Sequence, residues 1–476
     1  MVAETDVLVV GAGPTGLTLA IELQRRGIRH RAIEATAGGR NGSRGKGLQP
    51  RTQEVFELLG VLDAVTERSG PYPQFEVHVG PVGIPLGRLS KETQPSLGIP
   101  YPNLRMIPQF ETEAILKTRL EALGGRVELG TSLTGYTQAA DRVEAELSTG
   151  ERICARYLVG ADGGKSVVRK VLGLKLEGES LKSQPFLIAD VRVDGLDHTF
   201  WHGYPFAGGG LLSLCPLPGT DLFQLVAISK TELGPDDLTF EAIAARVKRA
   251  SRRLTLTDVT WSSIYRPQVR MVSRFQEGRV FLAGDAAHVH PAAGGQGLNT
   301  GVQDAFNLGW KLAAVIRGAS ERLLDSYTAE RLPIAADVLG LSKTLQLKPS
   351  LRRGDREKQL AITYRGGPLA QDVTATSTGL RAGDRAPDAR LGDGARLFDL
   401  LRVGAFVSLE RDGIQPSPTV APIHRHRLVP GPELDALYGT PDQLLIRPDG
   451  YLAAVHALGA RRFIEAFWPS KIPSDP

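Results

Sequence analysis

Apolar positions open the chain as a short, mostly β-branched run from Thr5 to Val10. They break at Gly11-Ala12-Gly13-Pro14-Thr15-Gly16 and resume at Leu17, Ala20, Ile21 and Leu23 with helical spacing. The pattern predicts a strand, a tight turn and a helix. Gly27 stops that helix and Arg31 to Glu34 supplies a second strand, completing a βαβ unit. Another helix is predicted over Gln109 to Leu123, where Phe110, Ala114, Leu116 and Leu120 carry the pattern and Gly124-Gly125 closes it. Alternating segments then dominate: residues 126–129, 143–147 and 152–159, and several runs between Phe186 and Ile228, predict antiparallel strands. From Leu298 a stripe through Val302, Ala305, Phe306, Leu312, Ala313 and Ile316 predicts a long helix with Gly318 as its stop, just after a glycine-rich stretch at 294–297. Past about Lys343 the chain turns polar, Arg-rich and punctuated by Gly and Pro, which predicts a linker over 343–381. Strand and helix signals return over 382–476 as a small terminal domain.

The 476 residues exceed what one hydrophobic core usually supports, so two or three domains are expected, enough to enclose a large cofactor. Hydrophobic residues at 42% and charged residues at 23% exclude a disordered or fibrous chain. A net charge of +5 without clustering leaves no nucleic-acid footprint, although a mildly positive surface suits an anionic nicotinamide cofactor. Cys154 and Cys215 are the only cysteines, which excludes a disulfide framework or thiolate metal site and fits a reducing cytoplasm. Val7 to Val10 is too short for a signal-peptide core, and no stretch approaches the ~20 apolar residues of a membrane helix. A cytoplasmic, soluble protein is the expectation.

The glycines of the first turn carry distinct jobs in a dinucleotide fingerprint. Gly11 permits the tight turn, Gly13 lets backbone approach a pyrophosphate, and Gly16 allows close helix–strand packing. Pro14 and Thr15 open the helix, whose free N–H groups and positive dipole end suit phosphates. Glu34, ending the second strand, is placed for the ribose hydroxyls and favours FAD or NAD over NADP at this site. Gly-x-Gly-x-x-Gly alone is weak; strand, glycines, helix, strand and acid in order are stronger.

Two further segments are Tyr157-Leu158-Val159-Gly160-Ala161-Asp162-Gly163-Gly164-Lys165-Ser166-Val167-Val168-Arg169 and Gly278-Arg279-Val280-Phe281-Leu282-Ala283-Gly284-Asp285-Ala286-Ala287-His288. Either aspartate–glycine pair, taken alone, reads as an ordinary turn. With the fingerprint, in this order across residues 4 to 340, the chain resembles the single-component (group A) FAD-dependent aromatic hydroxylases. That family includes para-hydroxybenzoate hydroxylase, phenol hydroxylase and aromatic polyketide hydroxylases.

The resemblance implies an α/β fold: a Rossmann-like FAD-binding domain over 1–175 and 265–342, and an inserted β-sheet substrate domain over 176–264 to which 71–105 contributes. It also implies a thioredoxin-like C-terminal domain over 382–476, here without redox cysteines. By the same resemblance Asp285, after Gly284, holds the ribitol of FAD. Asp162, Gly163 and Arg169 brace the pyrophosphate region, and Arg44 and Gln109 contact FAD, with Arg51 a weaker candidate. The loop from Pro291 through Gly294, Gly295 and Gln296 to Gly297, Leu298 and Asn299 lies against the flavin, its helix N-terminus facing anionic charge. Pro291-Ala292 stands where the family usually has two prolines.

The implied activity is hydroxylation of a phenolic or polyketide-like aromatic substrate with O2 through a flavin hydroperoxide, NADPH or NADH serving as transient reductant. No second dinucleotide fingerprint is present, so the reductant binds without its own domain, as the resemblance implies. Trp201, His202, Tyr204, Phe206, Leu212 and Leu214 are the candidate substrate-pocket residues, each equally readable as ordinary sheet positions. Baeyer–Villiger chemistry on the same scaffold, or cofactor binding without catalysis, are the alternatives. A homodimer is a further expectation. His288 and His290 alternate as ligands on a strand would, but no third ligand accompanies them at suitable spacing, so no metal is expected.

Overall fold

The computed structural model describes residues 3–468 apart from 39–41, 89–91, 181–184, 208–209, 230–231, 292–293, 348–355, 371–373 and 415–420. The first strand, Ala3–Val10, lies centrally in an eight-stranded sheet, parallel to Arg152–Gly160 on one side and His30–Glu34 on the other. Val127–Leu129 adds to His30–Glu34, and Val280–Leu282 adds to Arg152–Gly160, both parallel. Helices Pro14–Gln24 and Gly297–Ile316 pack against one another beside this sheet. Gly309 makes their approach possible, since a Cβ there would lie 2.5 Å from the Glu22 side chain.

Two alternating segments differ in sense from expectation. Residues 127–129 pair in parallel, while 152–160 is mixed, parallel to the first strand and antiparallel through 152–155 to 143–146, and 143–147 is also antiparallel to Leu133–Gln138. Alternation reports a strand with one wet face, not the direction of its neighbour. The parallel sense shows instead in Tyr157–Gly160, buried without interruption.

A second sheet of seven strands runs in the order 255–265, 186–194, 223–228, 210–216, 200–207, 74–79, 82–87. Every pair is antiparallel except Phe200–Ala207 with Gln74–Val79. Residues 74–87 therefore leave the first half of the chain to extend the sheet. Its outer face is covered by helix Phe240–Ala250, whose Ile243 and Val247 join Leu187, Val191, Leu214 and Leu225 in a separate apolar core.

A mixed four-stranded sheet near the C-terminus pairs Phe406–Glu410 in parallel with Ile423–Arg427 and antiparallel with Gln443–Ile446, to which Leu452–Ala454 adds. Its core is continuous with that of the eight-stranded sheet. Trp310 meets Phe406 edge-on at 5.3 Å. Arg447 pairs with Glu330 at 2.6 Å, and Lys311 pairs with the same carboxylate at 2.7 Å, all three side chains buried. Desolvation alone would raise the Glu330 carboxyl, yet these cations pull it down to about 2.

The segment read as a linker is in its described part packed structure. Gln359, Tyr364 and Leu369 are buried, and Gln359 donates to Gln296 at 2.6 Å. Polar composition suggested solvent here, but these polar groups are satisfied inside the protein.

Candidate active site

Strand register gathers the three motifs. Val10 stands opposite Gly160, and Gly160 opposite Leu282, so Gly11, Asp162 and Gly284-Asp285 emerge together at the carboxyl ends of adjacent parallel strands. That edge is where an open parallel sheet forms a crevice. Gly11 has φ +102°, and a Cβ on it would sit 2.4 Å from the Ala161 carbonyl oxygen. Gly16 is equally confined, 1.9 Å from the Gly11 oxygen. Gly13 caps the helix with no side-chain hydrogen bond, and Pro14 takes the first turn, leaving backbone N–H groups toward the crevice. Thr15 wedges between Gly284 and Gly301, where a Cβ would meet its hydroxyl at 2.6 and 2.5 Å. The Glu34 carboxylate is fixed by N–H donation from Ala12 at 3.0 Å and Thr36 at 3.1 Å.

Asp162 accepts from the Val167 N–H at 2.7 Å through one oxygen, while its other oxygen is buried with no hydrogen-bond partner. Gly163, at φ +79°, turns the chain after it. Arg169 donates to the carbonyls of Ala286 at 3.0 Å and Gly164 at 2.8 Å, lacing the second motif to the third. Asp285 is exposed on the turn Gly284–Ala286, with Oδ1 3.9 Å from where a Cβ on Gly297 would be.

The loop before the long helix is held from several sides. Gly294 and Gly295 adopt φ +88° and +61°. Gln296 is fully buried and donates to the Gly294 carbonyl at 2.9 Å. Asn299 donates to Gly47 and Gly295 carbonyls at 2.8 and 2.6 Å and accepts from the Gln49 N–H at 2.8 Å. Leu298 lies against Gly45, whose N–H donates to Gln109 at 3.1 Å. Arg44 is exposed, its guanidinium 5.5 Å over Trp261. Pro291 is buried beside His290, whose carbonyl accepts from the Tyr265 hydroxyl at 2.6 Å. The Ala292 position, compared above with the family's second proline, lies outside the described residues.

Arg51 departs from its reading. It is buried against Glu54 at 2.7 Å and donates to the Asp449 carbonyl at 2.7 Å, which ties its helix to the C-terminal sheet. Sequence reasoning also missed the support beneath Gly284. Asp304 accepts from the Gly284 N–H at 3.1 Å, from Arg331 at 2.7 Å and from His288 at 2.6 Å. His288 in turn meets His290 at 2.8 Å. Burial would raise the Asp304 carboxyl, but Arg331 and His288 hold it below its ordinary value. Burial and the neighbouring His288 push His290 well down, which keeps it neutral. A carboxylate inside the apolar stripe of the long helix was the available signal, because a buried charge needs a partner.

Residues 4–342 match the family described as FAD binding domain, and a flavin-dependent monooxygenase of Mycobacteroides abscessus is 46% identical over 95% of this chain and 97% of its own length. The chain belongs to this family of FAD-dependent monooxygenases. A 6-methylpretetramide 4-monooxygenase of Streptomyces rimosus is 36% identical over 94% of this chain and 90% of its own. The structure of an anhydrotetracycline hydroxylase from Streptomyces rimosus matches with a TM-score of 0.76 at 29% identity, covering 98% and 99% of the two chains. FAD fits this monooxygenase on its own geometry. The glycine cradle that any Cβ would fill, the unpartnered Asp162 oxygen and two helix N-termini without side-chain caps all open on one crevice.

The monooxygenase's sheet corrects the substrate candidates. Asp190 and Gln224 reach Ser43, and Trp201 lies under Lys46 at 4.4 Å, so this face of the seven strands meets the crevice loops. His202, Tyr204, Leu212 and Leu214 point the other way: Tyr204 and the leucines enter the core with helix Phe240–Ala250, and His202 lies against Glu76 and His78. Successive strand residues alternate faces, so a set mixing Trp201 with His202 could not share one pocket. Phe206 belongs to the same strand, and its side chain lies outside the description.

Proposed function

We propose that this monooxygenase hydroxylates a polycyclic aromatic substrate of polyketide type, with O2 and NADPH or NADH as co-substrates. The observation that carries the reading is the meeting of the three-motif crevice with one face of the seven-stranded sheet, where the Trp201 indole N–H is buried without a partner. The relatives named for methylpretetramide and anhydrotetracycline give the substrate class its direction. FAD, when bound, accepts a hydride from the nicotinamide and delivers one oxygen atom of O2 to the ring, the other leaving as water.

The chain's own groups position and exclude. Gly11, Gly13, Pro14, Thr15 and Gly16 cradle the pyrophosphate, Glu34 takes the adenosine ribose, and Asp285 takes the ribitol. Asp162, Gly163 and Arg169 hold the crevice edge in shape, and Arg44 and Gln109 close it from the 43–49 loop. Pro291, Gly294, Gly295 and Gln296 set the loop whose helix N-terminus, at Gly297, Leu298 and Asn299, favours anionic charge. Trp201 supplies a flat apolar wall and one donor. The C-terminal sheet, thioredoxin-like in our reading, contains no cysteine and serves as a structural support.

The deciding experiment measures NADPH oxidation against a panel of phenols and tetracyclic polyketides, with product mass. A gain of one oxygen atom on a polycyclic substrate is expected, and oxidation without any oxygenated product overturns the reading. Asp285→Ala should weaken FAD retention, since the ribitol loses a charged acceptor, and gel-filtered protein would show it as lost flavin absorbance. Undiminished flavin content would remove Asp285 from the site.

A further inference from the structure

On the face of the seven-stranded sheet away from the crevice, two adjacent strands bring three potential ligand atoms together. Glu76 and His78 stand two residues apart on Gln74–Val79 and share a face, and the parallel register sets His202 beside Glu76. Glu76 Oε2 is 3.0 Å from His78 Nε2 and 3.3 Å from His202 Nδ1, and the two ring nitrogens are 3.0 Å apart. His202 Nε2 lies 3.0 Å from the Asp197 carbonyl oxygen, which can only accept. In the neutral ring the proton therefore sits on Nε2, and Nδ1 turns a lone pair toward the cluster.

The Glu76 carboxylate is also an acceptor. Two acceptors 3.3 Å apart thus converge with the single N–H of His78 available to both. A cation among the three atoms resolves the opposed lone pairs. Tetrahedral zinc, with ligands at about 2.0–2.1 Å, separates its ligand atoms by roughly 3.3–3.4 Å, so the cluster needs to open by only a few tenths of an ångström. Two imidazoles with one carboxylate suit zinc and its neighbours better than calcium or magnesium, which prefer all-oxygen shells.

The surroundings are built to match. The His202 to Asp197 hydrogen bond is the outer-shell contact that fixes a ligand's tautomer. His78 stacks on Tyr204, with centroids 4.5 Å apart and planes 9° from parallel. Gly83, opposite His78 on the edge strand, leaves room for Glu76: a Cβ there would fall 2.6 Å from its carboxyl carbon. A cleft of about 900 Å³ borders His78 and Tyr204 and gives an entry path from solvent.

We propose that Glu76, His78 and His202 form a three-ligand zinc site with its fourth position open to this cleft. On binding, His78 moves its proton from Nε2 to Nδ1 and coordinates through Nε2. The ion ties the edge strand Gln74–Val79 to Phe200–Ala207 and, facing away from the crevice, takes no part in oxygen transfer.

The test uses the FAD-loaded full chain, stripped with EDTA and titrated with ZnCl2 by calorimetry. One equivalent should bind, with a rise in Tm. Glu76→Gln and His78→Gln should each weaken binding at least about tenfold, and the double variant should lose the equivalent while keeping flavin absorbance. Because the double variant could fail to fold, CoCl2 is added to the wild type as an independent measurement. Intense d–d bands of tetrahedral cobalt, to the red of the flavin absorption, are expected. No binding by wild type, unchanged binding in the folded variants, or a weak octahedral cobalt spectrum overturns the proposal.

Discussion

The two faces of the seven-stranded sheet use alternate residues of the same strands and do different work. Toward the crevice, Asp190, Ser213 and Gln224 stand with the aromatic side chains of Trp201, Phe75 and Trp261, and Asp190 and Gln224 bond the backbone of Ser43 in the loop that carries Arg44. Away from it, Leu187, Val191, Leu212, Leu214 and Leu225 interlock with the covering helix. The part of that face under the helix is apolar and buried and supplies stability. The crevice face leaves a donor unsatisfied and polar groups tied to loops, an arrangement that costs stability and leaves contacts for a ligand. A shift of one residue along any strand would exchange the two roles.

The largest effect should come from the apolar face. Leu225→Ala removes a fully buried side chain and should cost about 2–5 kcal/mol, read from denaturant or thermal unfolding. The fraction of NADPH converted to product in the folded protein should stay as in the parent. On the crevice face the outcome should invert. Trp201→Ala should change Tm little but cut product per NADPH tenfold or more, with hydrogen peroxide rising, because misplacement by ~1 Å can cost on the order of a hundredfold. If Trp201→Ala mainly unfolds the protein and Leu225→Ala mainly uncouples it, the faces have been assigned backwards.

A smaller effect concerns pH. Burial raises the Asp190 carboxyl above its ordinary 3.8, against hydrogen bonds from Ser43 that lower it. A raised acid contributes its stability fully below 3.8 and loses it as pH climbs through the folded value. Asp190→Asn should therefore gain stability relative to the parent on going from pH 4 to pH 7, as a difference in Tm between the two proteins. A difference that stays constant over that range would show that Asp190 titrates normally.

What the sequence revealed divides along the same line. The glycine turn, its helix and the two aspartate–glycine motifs were legible because each is a local device whose residues are neighbours in the chain. Helix 297–316 was legible from its stripe. The facing of Trp201 against His202 was not, since it depends on which side of the sheet the crevice loops dock on, as Ser43 does through Asp190 and Gln224. Glu76 and His202 became neighbours only through a parallel pairing across more than a hundred residues. Residues 356–370 read as solvent because nothing local shows that Gln359 finds Gln296 and Gln303 as partners.

That last contact bears on how the protein is made. The crevice begins at Gly11, yet the loop that finishes it is clamped by Gln359, about three-quarters of the way along the chain. A ribosome must therefore release most of the polypeptide before the crevice has its final shape, and Arg51 waits longer still for the carbonyl of Asp449. Until then the nascent strands stand with apolar surface uncovered, the condition in which multidomain chains aggregate. The cofactor can act as a template only late in synthesis, so flavin supply during expression should govern yield through the final folding steps and leave the first βαβ unit untouched.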